Sequence, residues 1–468
     1  MQLSHTRPVV SAAFDEPNLV SSAGLVPAMA LAGEARLREL GDEHLSVPTD
    51  KGANAGLKLS GLVAGMTAGA DSIDDMALLR HGAMGKVFAG IYAPSTLGSF
   101  LRAFTFGHVR QADAIASRFL INLTQRTALL GETADTATVM VDIDDTIVEV
   151  HGYQKQGAGF GYSGVRGLNA VLATVSSQTF APVIAAQRLR NGSAGSPRGA
   201  TRLATDALAL IRRTHLAGRD VLVRADSAFY SHALVTAALK AGANVSITVR
   251  MDPAVKRAIA GIAETAWTTI KYTDAVYDET TRTWNSRAEV AEVPFTAFTS
   301  KNKTDQIPGR LVVRRIPDLN PRNSEGQDTL FDSWRFHAFF TTTDTTEMDT
   351  VAADQTHRAH AVIENVHADL KASALAHLPS GVFNANAAWL VCAVMAFNLT
   401  RAAATLTKTP TLTRATTATI RRKLITVPAR IATSARRLTL HLPTNWPWQT
   451  AWSTLYNALF PRPATTHT

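Results

Sequence analysis

Three acids crowd one apolar segment, Val139-Met-Val-Asp-Ile-Asp-Asp-Thr146. The segment from Thr138 to Val150 reads as a strand, and on a strand Asp142 and Asp144 project from one face. Asp145 points the other way and reads as a strand-end or turn residue. Carboxylates beside Val and Ile are costly unless a cation or hydrogen bonds compensate them, so the segment predicts metal binding. A second acid, Asp226, ends the apolar run Val221-Leu-Val-Arg-Ala225, where open α/β sheets place functional groups. Its plainer reading is a cap for the following helix. The third, Glu364, lies in a stretch from His357 to Lys371 that reads as helical. Helical spacing puts His357, His360, His367 and Lys371 on the same face as Glu364. One acid among four potentially cationic groups suits a metal beside a phosphate backbone, and a solvated face is the competing reading. Zinc is disfavoured, because no cysteine or paired histidine motif completes a tetrahedral set.

Three carboxylates fit a definite reaction. Cleavage of a phosphodiester by water, followed by attack of a DNA 3′ hydroxyl, needs an activated oxygen and a stabilised leaving oxygen. Two Mg²⁺ or Mn²⁺ ions about 3.5–4 Å apart supply both, and hard oxygen ligands suit these metals.

The elements that must hold these groups can be read from periodicity. Residues 1 to about 130 read as helical, with Ser95 as a cap for a helix bearing Leu97, Phe100, Leu101 and Phe104 on one face. With Arg102 and Arg110 nearby, this region suits a DNA-reading helix-turn-helix or an ordinary bundle equally well. Strands are expected at Leu168–Val175, Pro182–Leu189, Asp220–Ala225 and Val245–Val249. Helices are expected at Thr201–Leu216, closed by Gly218, and at Ser231–Leu239. From Trp267 to Thr341 the pattern alternates, at Glu289–Phe298, Leu311–Arg315 and Trp334–Thr341, and reads as a β-rich insertion whose last strand returns to the main sheet. One long helix is expected from about Glu347 to Ser373, and a buried helix near Ala387–Leu399, an apolar run too short to span a bilayer.

Charge adds a partner. The 468-residue chain carries a formal net charge of +9. From Arg401 onward it has ten basic residues and no acidic one, Arg421, Arg422 and Lys423 among them. A basic tail on a near-neutral body points to a polyanion such as DNA. Trp446, Trp448 and Trp452 are placed to fold the end back onto the protein. The single cysteine, Cys392, suits a reducing cytoplasm, and no apolar signal core opens the chain. No membrane partner is expected.

These motifs together resemble the bacterial insertion-sequence transposases with an RNase H-like DDE domain, of the 1380-type group. The resemblance runs through Ala70-Asp-Ser-Ile-Asp-Asp75, Ala93-Pro-Ser-Thr-Leu-Gly98, Phe104-Thr-Phe-Gly-His-Val-Arg110, Asp142-Ile-Asp-Asp-Thr146, Arg224-Ala-Asp-Ser-Ala-Phe-Tyr230 and the Glu364 helix. It implies an α/β fold: an RNase H-like mixed sheet with flanking helices, interrupted by the β-rich insertion, plus a helical N-terminal domain. It implies Asp144, Asp226 and Glu364 as catalytic residues and ligands of two Mg²⁺ or Mn²⁺ ions. The implied partner is double-stranded DNA, both the terminal inverted repeats of the element and its target, bound by a homodimer in the cytoplasm at the nucleoid. The expected organisation is 1–130 for DNA binding and dimerisation, 131–266 and 343–405 for the two parts of the catalytic domain, 267–342 for the insertion and 406–468 for the basic region. The related enzymes carry Tyr, Arg and Lys around the Glu. Here the positions hold His357, His360 and Lys371, with Arg358 as a neighbouring cation for DNA. Trp284 in the insertion is the residue expected to stack an extruded base.

Two other readings compete. Asp142-Ile-Asp-Asp-Thr146 also fits the nucleophile loop of haloacid-dehalogenase-type phosphohydrolases, with Asp142 as nucleophile and Asp144 as general acid, but no downstream acidic pair completes that site. A catalytically weakened DNA-binding derivative of a transposase is the other. Gly159-Phe-Gly-Tyr-Ser-Gly164 has the spelling of a dinucleotide site, yet a strand-like segment follows where a phosphate-binding helix should begin. It reads instead as a hairpin beside the active site.

Overall fold

The computed structural model describes residues 11–461 except 49, 153, 162, 279–282, 318–333 and 435–436; for 271–278 and 283–287 it describes the backbone alone. After a short strand, β1 (Leu19–Val20), the first part is helical: α1 (Leu25–Glu34), α2 (Leu37–His44), α3 (Ala55–Ala68), α4 (Met84–Val87), α5 (Pro94–Arg102) and α6 (Phe106–Arg126). Leu97, Phe100 and Leu101 are buried on one face of α5, as their spacing predicts. The cap is different. Pro94 takes the first helical turn after Ala93, because its fixed φ suits that position and its missing N–H is not needed there. Ser95 therefore lies inside the helix. Phe104 falls past the helix end yet stays buried, edge-on to Phe100 at 5.1 Å.

The α/β part runs β2 (Val139–Glu149), β3 (Gly159–Phe160), β4 (Arg166–Ser176), β5 (Val183–Asn191), α7 (Ala200–Ile211), β6 (Val221–Ala225), α8 (His232–Lys240), β7 (Asn244–Thr248) and α9 (Pro253–Ala260). Four longer strands follow: β8 (Thr268–Asp278), β9 (Thr283–Ala297), β10 (Ile307–Pro317) and β11 (Trp334–Thr341). All join one ten-stranded sheet in the order β3-β4-β2-β6-β7-β11-β10-β9-β8, with β5 pairing β4. β2 is antiparallel to β4 and parallel to β6. Parallel neighbours need a crossover, and α7 and α8 provide the two that join β2 to β6 and β6 to β7. Helix α7 ends at Ile211, earlier than Gly218, which serves a turn at φ +83° before β6. The alternating segments expected as an insertion extend the same sheet, β11 pairing antiparallel with β7. Alternation marks a strand but does not name its partner.

The helix expected from Glu347 to Ser373 is broken. α10 (Thr350–Arg358) and α11 (Val362–Lys371) are joined by a 3-10 turn at Ala359–Ala361. The apolar run near Ala387–Leu399 is the middle of α12 (Phe383–Leu406), which packs on α3, α6 and β5. α12 is long and apolar enough to cross a membrane, but its apolar window is wholly buried in the protein. It is the core helix, with Trp389 donating to the Ala374 carbonyl at 2.6 Å.

The basic end is folded in. After α13 (Pro410–Thr413) and α14 (Thr417–Ile420), a π-helical turn spans Arg421–Ile425. Strands β12 (Ala429–Ser434) and β13 (Arg437–His441) form a small sheet with β1, and α15 (Gln449–Leu459) buries Trp452 and Leu455. Trp446 folds back and donates to the Lys423 carbonyl at 3.1 Å. The C-terminal region thus completes the helical body. Leu455→Ala is expected to cost about 2–5 kcal/mol through lost burial and a residual cavity. Urea unfolding followed by circular dichroism reads this; an unchanged midpoint would mean that α15 is a detachable tail.

Candidate active site

Register places the acids. In the parallel pair β2·β6, Asp142 stands beside Arg224 and Ile143 beside Ala225. Side chains alternate, so Asp144 and Asp226 follow one period further along the face that carries Asp142 and Arg224. Asp226 leaves the end of β6 in an extended conformation and its side chain makes no cap hydrogen bond, so it does not act as the helix cap that is its plainer reading.

Below the acids the face is dry. Asp142 is 0% exposed and Arg224 2%. The guanidinium grips the carboxylate with two parallel bonds, Nε to Oδ1 at 2.7 Å and Nη2 to Oδ2 at 2.8 Å. His360 Nδ1 donates to the same Oδ1 at 2.9 Å. Arg224 Nη1 also donates to the Thr356 carbonyl. In a continuous helix that carbonyl would face the amide of residue 360, and here the path tightens into the 3-10 turn. Asp142 and Arg224 therefore join the two strands to the α10–α11 break. A metal role for Asp142 is corrected by this geometry, since its charge is already satisfied by hydrogen bonds. The phosphohydrolase reading needs Asp142 as an accessible nucleophile, and the burial removes it.

Asp144 differs. Burial holds its carboxyl up to about 7, and the neighbouring Asp226 and Asp145 carboxylates push the same way, against a backbone hydrogen bond and His360. His367 Nε2 lies 3.5 Å from Asp144 Oδ2, and neither ring nitrogen of this buried histidine has a hydrogen-bond partner. Burial lowers its pKa to about 4, so the ring is neutral. Helical spacing read His367 as a potentially cationic group on the Glu364 face; burial beside Asp144 corrects this to a neutral ring. Asp145 faces away as expected, but from mid-strand, where it pairs with Arg190.

A groove of about 1400 Å³ opens over this face, with Asp144, Asp226, Arg250 and Lys371 in its walls. Glu364 is exposed on the first turn of α11 and is not among the groove-lining residues. The structure thus brings Asp144 and Asp226 into one groove and leaves Glu364 outside its lining, on α11. Among the described residues no three His, Cys, Asp or Glu side chains form a ready-made metal cage. The donor chemistry still fits a hard cation. Asp144 and Asp226 line the same groove, Asp144 is desolvated by burial, and among the described residues its one side-chain ion-pair neighbour, His367, is neutral.

The remaining candidates scatter. His357 stacks on Phe339 at 4.0 Å, and its two ring nitrogens bond Ser246 Oγ at 2.9 Å and Thr248 Oγ1 at 3.0 Å. Burial lowers its pKa to about 3, so it carries no positive charge at neutral pH. Arg358 pairs with Asp354, which also holds Arg314. Arg421 is half-buried, Arg422 is exposed, and Lys423 lies over the Trp448 ring at 5.2 Å. The Trp284 side chain lies outside the described residues. Of the N-terminal arginines, Arg110 pairs with Asp113 at 2.7 Å and Arg102 donates to Ser99.

The fold is a mixed α/β sheet with flanking helices, and Asp144 and Asp226 line one groove beside the parallel pair β2·β6. The family model of the transposase DDE domain, group 1, matches residues 3–464, and the chain belongs to that family of transposases. No curated relative matches the chain.

The two neighbouring acids of β2 should respond oppositely to neutralisation. Between pH 3.8 and about 7 the folded chain keeps an Asp144 proton that the unfolded chain has lost, so this group's contribution to stability falls as pH rises through that window. Without divalent metal, Asp144→Asn should melt higher than the wild type above pH 7, with the gap closing as pH falls toward 3.8. Asp142→Ala should instead cost about 3–5 kcal/mol, because it leaves a buried guanidinium unpaired. Equal effects of the two substitutions on thermal melts would contradict the assignment.

Proposed function

We propose that the chain is an insertion-sequence transposase that cuts and joins DNA ends through an RNase H-like catalytic core, with Asp144, Asp226 and Glu364 as its metal-binding carboxylates. The observation that carries this reading is the register that sets Asp144 and Asp226 one period beyond a sealed ion pair, facing a groove with Lys371 and Arg250 in its walls. Support for Glu364 comes from its place three residues before His367, whose ring meets Asp144. Residues three apart share a helix face.

Asp144 and Asp226 would hold the cation, Mg²⁺ or Mn²⁺, with Glu364 completing the set. A pair of such ions, when bound, activates the attacking oxygen and stabilises the leaving one. The chain's own part is to bind and orient. Lys371 and Arg250 offer positive charge to the phosphates flanking the scissile bond. His367 excludes water behind Asp144 without adding charge. The Arg224–Asp142–His360 cluster fixes the strands and the α10–α11 break, and so fixes Glu364 relative to the aspartates. A water oxygen replaces the DNA 3′ oxygen at phosphorus in cleavage. The freed 3′ hydroxyl then replaces a target 3′ oxygen in joining, and each leaving oxygen takes up a proton. We place the partners as the two ends of the element and the target duplex, held by a homodimer in the cytoplasm.

Alanine at Asp144, Asp226 or Glu364 is expected to abolish strand cleavage and joining while leaving DNA binding largely intact, since phosphate contacts elsewhere supply affinity. Nicking of plasmid carrying the element ends, paired with gel-shift binding, tests this. Near-normal cleavage by any one variant removes that residue from the set. A wild-type chain that binds the ends but never nicks them would be a weakened derivative.

A further inference from the structure

Phe160, Gly161 and Ser163 of the glycine-rich segment line the groove without belonging to the carboxylate set. Phe160 and Val165 lie in the same groove wall as Asp144 and Asp226. The Phe160 side chain is 66% exposed and Val165 is 37% exposed. The hairpin is held from below. Gln156 N donates to the Gly381 carbonyl at 2.9 Å, Phe383 N donates to Gln156 Oε1 at 3.1 Å, and Lys155 donates to the Leu378 carbonyl. Gly192 N donates to the Gly157 carbonyl at 2.9 Å. Packing there is so close that a Cβ on Gly192 would come within 2.0 Å of the Gly167 carbonyl oxygen and 2.3 Å of that of Gly159. An apolar ring is thus anchored in the open, on a base tied to both β5 and the loop before α12.

We infer that Phe160 is a stacking platform for an unpaired base of the DNA strand that runs through the groove. The inference rests on the transposase reading and adds a contact to it. Scale selects the occupant. One phenylalanine ring offers about 150–250 Å², far below the roughly 1,200 Å² at the low end of stable protein interfaces, but it matches a single base. Charge complementarity agrees: Lys371 and Arg250 in the same groove suit the phosphates on either side of that base. A paired base within a duplex has no free face to offer, so the platform takes an unpaired one.

The test uses the full chain with Ca²⁺ in place of Mg²⁺ and two probes, a blunt duplex and the same duplex bearing a short single-stranded extension with 2-aminopurine. Phe160→Ala should weaken binding of the extended duplex by about 5- to 150-fold, the range for loss of one stacked base. Blunt-duplex binding should stay unchanged, and the change in 2-aminopurine fluorescence seen with the wild type should disappear. Phe160→Trp should retain both affinity and signal. Wild-type affinity of Phe160→Ala for both probes, with the fluorescence change intact, overturns the inference. Parallel loss on both probes with a lower mass by light scattering also overturns it and assigns the ring to an interface between copies. A wild-type chain without salt-dependent affinity for either probe refutes the transposase reading itself, a result separable from failure at Phe160.

Discussion

A guanidinium and a carboxylate leave water together where β2 meets β6, and much of the site follows from how that cost is met. Bidentate geometry, a third bond from His360 and a fourth to the Thr356 carbonyl engage all three guanidinium nitrogens and both carboxylate oxygens. A buried pair of this kind adds little net stability over an apolar substitute, but removing one partner is severe. Its value is positional. It couples two strands from the centre of the sheet to a helix break 132 residues further along the chain. One side-chain period beyond it, Asp144 and Asp226 reach the groove, Asp144 with only the neutral His367 ring at 3.5 Å as a side-chain ion-pair neighbour among the described residues. The same face therefore holds a neutralised acid and one kept near protonation, and only the second invites a cation.

That division was partly legible in the residues. Alternation on Val139–Glu149 showed Asp142 and Asp144 sharing a face, and the strand carrying Asp226 was evident from its apolar run. Which acid was spoken for depended on the strand pairing Asp142 with Arg224, a contact 82 residues apart that periodicity does not encode. Helical spacing grouped His357, His360, His367 and Lys371 around Glu364. The 3-10 turn then gave the histidines separate tasks: His357 against Phe339 and two hydroxyls, His360 on Asp142, His367 beside Asp144. A break enforced by a distant arginine leaves no local signature, since no proline or glycine marks it.

Charge was legible in amount and less so in use. The acid-free C-terminal stretch reads as a DNA-binding tail, yet Arg401 is 7% exposed and donates to the Ala415 carbonyl at 2.8 Å, and Arg414 donates to Gln178. Several of these cations satisfy carbonyls at chain turns, work that composition alone cannot separate from phosphate binding. The alternating segments after Trp267 likewise announced strands, the last returning to the main sheet as β11 does, but not that β10, β9 and β8 would lengthen that sheet, because edge pairing is settled by whichever strand is left open. Belonging to the DDE transposase family gives these features a common purpose. Phe160, Lys371 and Arg250 line the same groove as Asp144 and Asp226.

Asp144 and Asp226 together are expected to bind a divalent cation in a site positioned by the Asp142–Arg224 pair. Crystals of the full chain grown with Mn²⁺, measured at the manganese absorption edge, test it most directly. An anomalous peak coordinated by carboxylate oxygens of both Asp144 and Asp226 is expected, with Asp142 still on Arg224. A peak on Asp142, or bound manganese that avoids the aspartate pair, would contradict it.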